Sequence, residues 1–134
     1  MGEATDAKQL LTRFATAVRS GDWPTVESLL DPKTGWYVGN SSPFAGEYSG
    51  AGEVVALLKR VAEKAFDRGG AKTDDAEILV GDHHHGIFWF FTAEVDGEKR
   101  SSYEIWLADL STSGTIGAVF FFAEDAEMAG RFWA

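Results

Sequence analysis

His85 and Glu104 are the two side chains of this sequence best suited to moving a proton. Each is set among apolar and aromatic residues: Ile87-Phe88-Trp89-Phe90-Phe91 follows the histidine, and Tyr103, Ile105 and Trp106 surround the glutamate. Histidine titrates near neutrality without help, and apolar surroundings raise a carboxyl toward the same range. An imidazole and a carboxyl so placed can carry a proton through enolisation, aldol-type ring closure or isomerisation. The bland alternative makes His85 a strand-end residue at a rim and Glu104 an ion-pair partner of His85 or of an arginine. Tyr37 stands open between a hydrogen-bond donor to the same site and a core aromatic with a satisfied hydroxyl.

Other constellations carry less. In His83-His84-His85 adjacent strand residues point to opposite faces, so only His83 and His85 could share an ion. A catalytic zinc takes three protein ligands and no third is in the pattern, so the run reads as a polar turn after Gly81-Asp82. No metal and no cofactor is expected. Ser41 and Ser42 read as loop hydrogen-bonders, since no Ser-His-Asp set is in view. Gly39, Gly46 and Gly50 serve turns and lack the spacing of a phosphate loop. The absence of cysteine removes disulfides, thiolate nucleophiles and cysteine metal sites, and fits a cytoplasmic protein. Residues Met1–Asp6 show no signal-peptide pattern, and no apolar run is long enough to cross a bilayer. A formal charge of −9 with no basic stripe repels phosphate backbones. Neither nucleic acid nor membrane is an expected partner.

The elements that must position these groups follow from periodicity. At 134 residues the chain predicts one domain, 1–134. Leu10, Leu11, Phe14, Ala17 and Val18 recur at helical spacing over about 5–19. Gly21 ends that helix, and Asp22 with Pro24 starts a short second one to about Leu30. Asp31-Pro32-Lys33-Thr34-Gly35 reads as a turn, Trp36-Tyr37-Val38 as a short extended piece, and Gly39 to Gly50 as an ordered loop. A third helix opens at Ser49 or Gly50, with Val54, Leu58, Val61, Ala62, Ala65 and Phe66 as its stripe, and Gly69-Gly70 stops it. Strands are predicted at about 74–80, 84–95, 100–110 and 115–123. Asp96-Gly97 joins two of them as a tight hairpin and Ser111-Thr112-Ser113-Gly114 joins the next pair. The tail 125–134 reads as a turn of helix. Helices first and an antiparallel meander after argue for α+β, a curved, mainly antiparallel sheet wrapped around three N-terminal helices.

Nine of the 18 aromatic residues fall in three of these strands. Ile87–Phe91 and Val119–Phe122 are apolar on both parities, so each strand presents two greasy faces and both need a cover. Parity sorts them. One set is His85, Ile87, Trp89, Phe91, Ser102, Glu104, Trp106, Val119 and Phe121. The other is Phe88, Phe90, Tyr103, Ile105, Leu107, Ala118, Phe120 and Phe122. A one-residue slip of register exchanges the sets.

The segment Trp36-Tyr37-Val38-Gly39-Asn40-Ser41-Ser42-Pro43-Phe44-Ala45-Gly46-Glu47-Tyr48-Ser49-Gly50 resembles the stretch before the third helix in bacterial SnoaL-like proteins of the NTF2-like superfamily. The turn Gly114-Thr115-Ile116 and the closing Arg131-Phe132-Trp133 resemble the same family, so the likeness spans nearly the whole chain. It implies a cone with a pocket between the helices and the concave sheet face, and a convex face that packs on a second subunit. Aligned on the Asp96-Gly97 hairpin with ketosteroid isomerases, the first parity set faces the pocket. Tyr37, Ser41, His85, Ser102 and Glu104 would then be its polar groups. Ile87, Trp89, Phe91, Trp106, Val119 and Phe121 would be its walls, closed by Phe14, Val18, Leu58 and Val61. Phe88, Phe90, Tyr103, Ile105, Phe120 and Phe122 would form the homodimer contact.

The likeness identifies a fold better than an activity. Ketosteroid isomerases carry an Asp base, a Tyr and a protonated acid where this chain has Ser41, Phe14 and Trp106, so that mechanism is excluded. SnoaL-type cyclases carry an Asp where this chain has Phe121, and the Asp-Arg-Asp set of limonene-type epoxide hydrolases is missing. What the resemblance leaves is a cofactor-independent cyclase or isomerase of polyketide-type, antibiotic-like biosynthesis. It would fold an apolar substrate in an aromatic pocket, by orientation alone or with His85, Glu104 and Tyr37 as catalytic groups. The alternative is a non-catalytic dimeric binding module.

Overall fold

Apolar residues at helical spacing turn one side of α1 (Glu3–Ser20) toward the core, where Leu11, Phe14, Ala15 and Ala17 are buried. These positions belong to a computed structural model that describes residues 3–39, 43–67, 72–73, 76–95 and 97–123; of these, 3–5, 65–67, 72–73, 91–95, 100–102 and 123 are described as backbone only. Gly21 takes φ 73° and ends α1, and Asp22 begins α2 (Trp23–Leu29). The Asp22 carboxylate accepts from the Thr25 hydroxyl at 2.7 Å and from the Thr25 N–H at 3.4 Å, while Pro24 occupies the first turn. In α3 (Ala51–Asp67), Val54, Val55, Leu57 and Leu58 are buried and Val61 is half-buried. Ala62, expected in the stripe, is exposed. Among the described residues, the fully buried positions all lie in the first half of the helix.

The strands are β1 (Leu30–Val38), β2 (Gly46–Ser49), β3 (Lys72–Thr73), β4 (Glu77–Val80), β5 (His85–Val95), β6 (Glu98–Leu110) and β7 (Ile116–Ala123). They form one sheet in the order β2-β1-β7-β6-β5-β3, with β4 also pairing with β5. β3 meets Phe91 and Thr92, and β4 meets His85 to Phe88, so the two short strands share one edge of β5. All pairs are antiparallel except β1 with β7. The class is α+β, as expected. No helix among the described residues is long and apolar enough to cross a membrane.

Two expectations for the early chain give way. Asp31–Gly35 is not a free turn but part of β1, and the loop 39–50 contains β2. Both follow from pairing on two sides: β1 has β2 along one edge and β7 along the other. Turn chemistry survives inside the strand. The Lys33 N–H donates to the Asp31 carboxylate at 2.8 Å, and Pro32, which has no N–H to give, falls where the β1–β7 register shifts between Leu30 and Gly35. The expected helical turn at 125–134 lies outside the described residues, as does the start of the strand expected at 74–80.

The β5–β6 register runs from His85 opposite Ala108 to Val95 opposite Glu98, closed by a two-residue turn in which Gly97 takes φ 81°. This register decides the face question. His85, Ile87, Trp89, Glu104, Trp106, Val119 and Phe121 are buried on one face. Phe88, Phe90, Ile105, Leu107 and Phe120 are half-buried, and Tyr103 and Phe122 are 45% and 47% exposed on the opposite face.

Ile116, fully buried where β7 begins, and Leu79, 46% exposed on β4, make a calibrated pair. Ile116→Ala is expected to cost about 2–5 kcal/mol in urea denaturation. Leu79→Ala should stay within about 0.5 kcal/mol of the parent.

Candidate functional site

The registers lay the inner face out in rows about 6.6 Å apart, two strand residues at ~3.3 Å each. The first row is Trp36, Val119, Ala108 and His85. The second is Val38, Phe121, Trp106 and Ile87. The third is Ala123, Glu104 and Trp89. Ser102 and Phe91 oppose each other in the next register position; both were expected at the site, and their side chains lie outside the described set. Ser41 lies outside the described residues altogether.

Aromatic contacts knit the rows together. Trp106 packs on Trp36 at 5.3 Å between ring centroids, on Trp89 at 5.0 Å and on Phe121 at 5.4 Å. Phe14 reaches down from α1 to touch Trp36 at 6.1 Å and Trp106 at 6.2 Å. Leu58 of α3 is buried in the same core, with Val18 and Val61 half-buried at its margin. Of the predicted walls, therefore, Phe14, Leu58, Ile87, Trp89, Trp106, Val119 and Phe121 share one core.

His85 and Glu104 lie on this face, both buried. They are two rows apart, about 13 Å along the strands, which is too far for a direct hydrogen bond. The His85–Glu104 ion pair is thereby set aside. The three histidines separate: His83 is exposed, the His84 imidazole meets the Asp109 carboxylate outside the core, and His85 turns inward. A tight turn launches His85. The Gly81 N–H donates to the His84 carbonyl at 3.0 Å, and a Cβ on Gly81 would sit 2.5 Å from that oxygen.

Tyr37 is corrected. It is 40% exposed and stacks on Phe120 at 4.9 Å and 12°, on the face away from Trp36 and Val38. It is not a group of the inner face. Alternation sets Tyr37 on the face opposite Trp36 and Val38, but all three are apolar or aromatic, so the sequence alone does not say which parity faces in. The residues that sequence reasoning missed on this strand are Trp36, its inner-face aromatic, and Thr34. Both are fully buried.

Several polar atoms on this face are buried and have no hydrogen-bond partner among the described residues. They are the indole nitrogens of Trp36, Trp89 and Trp106, the Thr34 hydroxyl and His85 Nδ1. An indole N–H only donates, and burying it unanswered costs about 1–3 kcal/mol.

Compared by sequence, the chain matches no protein-family model and no curated protein. Compared by structure, it resembles Bal32a from a soil-derived mobile gene cassette, with TM-score 0.82, 22% identity and 98% of each chain covered. It also resembles an NTF2-like protein from Burkholderia xenovorans LB400, with TM-score 0.77, 14% identity and coverage of 96% of this chain and 98% of the other. A candidate polyketide cyclase from Xanthomonas campestris pv. campestris superposes with TM-score 0.71 and 14% identity over 96% of this chain and 98% of the other. The fold is NTF2-like.

The turn before His85 offers a check. Gly81→Ala is expected to lower stability by about 1–3 kcal/mol in urea denaturation, because the added carbon meets backbone. Gly52→Ala in α3, where an added Cβ meets nothing within 4 Å, should not.

Proposed function

We propose that this protein is a small-molecule cyclase or isomerase of the polyketide type. It folds a largely apolar substrate against the inner aromatic face and promotes ring closure without a cofactor. The observation that carries the reading is the company His85 and Glu104 keep: both are buried on a face otherwise walled by Trp36, Trp89, Trp106 and Phe121. An apolar site with a few inward polar groups is the usual design for holding a small molecule. The likeness to a candidate polyketide cyclase supports this choice among the activities the fold hosts.

The two-row separation shapes the mechanism. A proton taken and a proton given at one forming bond must both be reached within a few ångströms. Groups about 13 Å apart along the strands do not serve a single bond together. Aromatic walls that fix a flexible chain in a reactive shape therefore supply most of the acceleration, with one of the two groups as proton carrier. Native mass spectrometry of the purified protein should detect a co-purified metabolite whose mass or retention changes on incubation. His85→Ala and Glu104→Gln, assayed on that metabolite, should differ: one falls by about 10²–10⁴-fold and the other stays within about tenfold. Retained turnover in both would remove proton transfer and leave orientation alone.

The second reading, a non-catalytic binding module, is favoured by one observation: where ketosteroid isomerases hold a Tyr and an acid, Phe14 and Trp106 are buried aromatics in mutual contact. A metabolite that stays bound and unaltered would establish it.

Both readings include a homodimer through the convex face. Its motive is an outward apolar surface that the single chain leaves partly open: Phe88, Phe90, Tyr103, Ile105, Phe120 and Phe122. Sedimentation at micromolar concentration should show a dimer, and Ile105→Glu a folded monomer with unchanged circular dichroism. A monomeric parent protein would overturn the contact.

A further inference from the structure

His85 does not hold itself in place. It is 9% exposed, its Nδ1 is buried, and that nitrogen has no hydrogen-bond partner among the described residues. Burying an imidazole nitrogen unanswered costs free energy, so the side chain gains by turning out to water. His84 and His83, one and two places earlier, are exposed. Residue type therefore gives no preference for which histidine of the run faces inward. The backbone offers little more. His85 is the first residue of β5 and the last rung of two ladders, opposite Val80 of β4 and Ala108 of β6. Terminal rungs of a sheet open at the lowest cost. On the far side of β6 the pairing with β7 shifts register between Asp109 and Leu110.

One contact continues the register beyond that last rung. The next position sets His84 opposite Asp109, and there the two side chains bond, His84 Nδ1 to Asp109 Oδ1. An ionised carboxylate only accepts, so the imidazole donates. Asp109 shares its parity on β6 with Ile105 and Leu107, so the bond lies on the outer face. Successive strand residues point to opposite faces, and pinning His84 outward turns His85 inward. The Gly81 N–H, on the His84 carbonyl at 3.0 Å, fixes the same residue from the turn. We propose that Asp109 is a positioning residue for His85: it holds the outer histidine and thereby selects which member of His83-His84-His85 is buried. The proposal rests on the reading of the inner face as a reaction site and adds what places one of its two proton-handling groups.

The test measures how fast diethyl pyrocarbonate acylates His85 in the intact protein, against N-acetylhistidine in the same tube. Tandem mass spectrometry locates the product, with reagent held below one modification per chain. In the parent protein His85 should react more slowly than the standard. Asp109→Ala and His84→Ala should each raise its rate by about threefold to fivefold, as fits the loss of one partly exposed contact. The double variant should be no more reactive than either single one, since both remove the same bond. Asp109→Asn keeps an acceptor for the imidazole and should restore the parent rate. An unchanged rate in both Ala variants would overturn the proposal, as would an Asn variant as reactive as Asp109→Ala. If one Ala variant fails to fold, the other carries the comparison. Turnover of the co-purified metabolite is read separately. With His85 as proton carrier, Asp109→Ala lowers kcat by the same factor and leaves KM unchanged. Faster acylation with unchanged kcat upholds the positioning and removes His85 from the chemistry.

Discussion

The contact of Phe14, Trp36 and Trp106 is the one on which the rest of this structure depends. The three rings come from α1, β1 and β6, elements with no adjacency in the chain, and they meet within 5.3–6.2 Å between centroids. Edge-on and tilted packing of this kind adds about 0.5–1.5 kcal/mol per pair beyond the area it buries. More important than the energy is the placement it forces. With Phe14 seated over the first two rows, α1 lies across β4 and β5 while α3 lies against β1 and β2. The sheet then has an inside and an outside.

That division gives one strand two distinct faces. Along β5 the alternation assigns Ile87 and Trp89 to the inner face and Phe88 and Phe90 to the outer one, where Tyr103 packs against both. The two apolar faces are thus separated by a single sheet thickness. A substitution on one face reaches the other only through the backbone. The rows also act as a ruler. His85 and Glu104 are held at fixed rows of a register closed by Gly97, so their spacing is a property of the sheet and not of loop conformation.

How much of this was legible in the sequence depended on whether a register could be anchored. Asp96-Gly97 anchors β5 to β6, and the short Ser111–Gly114 turn, in which the Gly114 N–H donates to the Ser111 carbonyl, joins β6 to β7, but the register shifts by one residue between Asp109 and Leu110, so this turn does not by itself set the parity of β7. From the first turn the inner set of β5 and β6 follows residue by residue. No such anchor exists before β1. Its partner β7 is distant in sequence and parallel, and a parallel pair has no hairpin to set its phase. Pro32 and Gly35 therefore read as a turn although they lie within a strand, and Tyr37 was assigned to the wrong face. The orphan indole donors were also invisible, because whether an N–H is answered depends on three-dimensional neighbours that composition does not disclose.

The parallel β1–β7 ladder has a consequence for how the chain reaches this state. Trp36 pairs beside Val119, and nothing local brings them together. The β5–β6 hairpin can form early from neighbours in sequence, whereas β1, paired with β2 on one edge, has its other edge bare until the last described strand arrives. Loop-closure entropy for such a long span is lost before any contact rewards it, which makes this step slow. During that wait β1 offers an open row of N–H and C=O groups beside exposed tryptophan, the state from which strands of different molecules join. The strand order that gives the sheet its inner face also sets the interval in which the nascent protein is most exposed to aggregation.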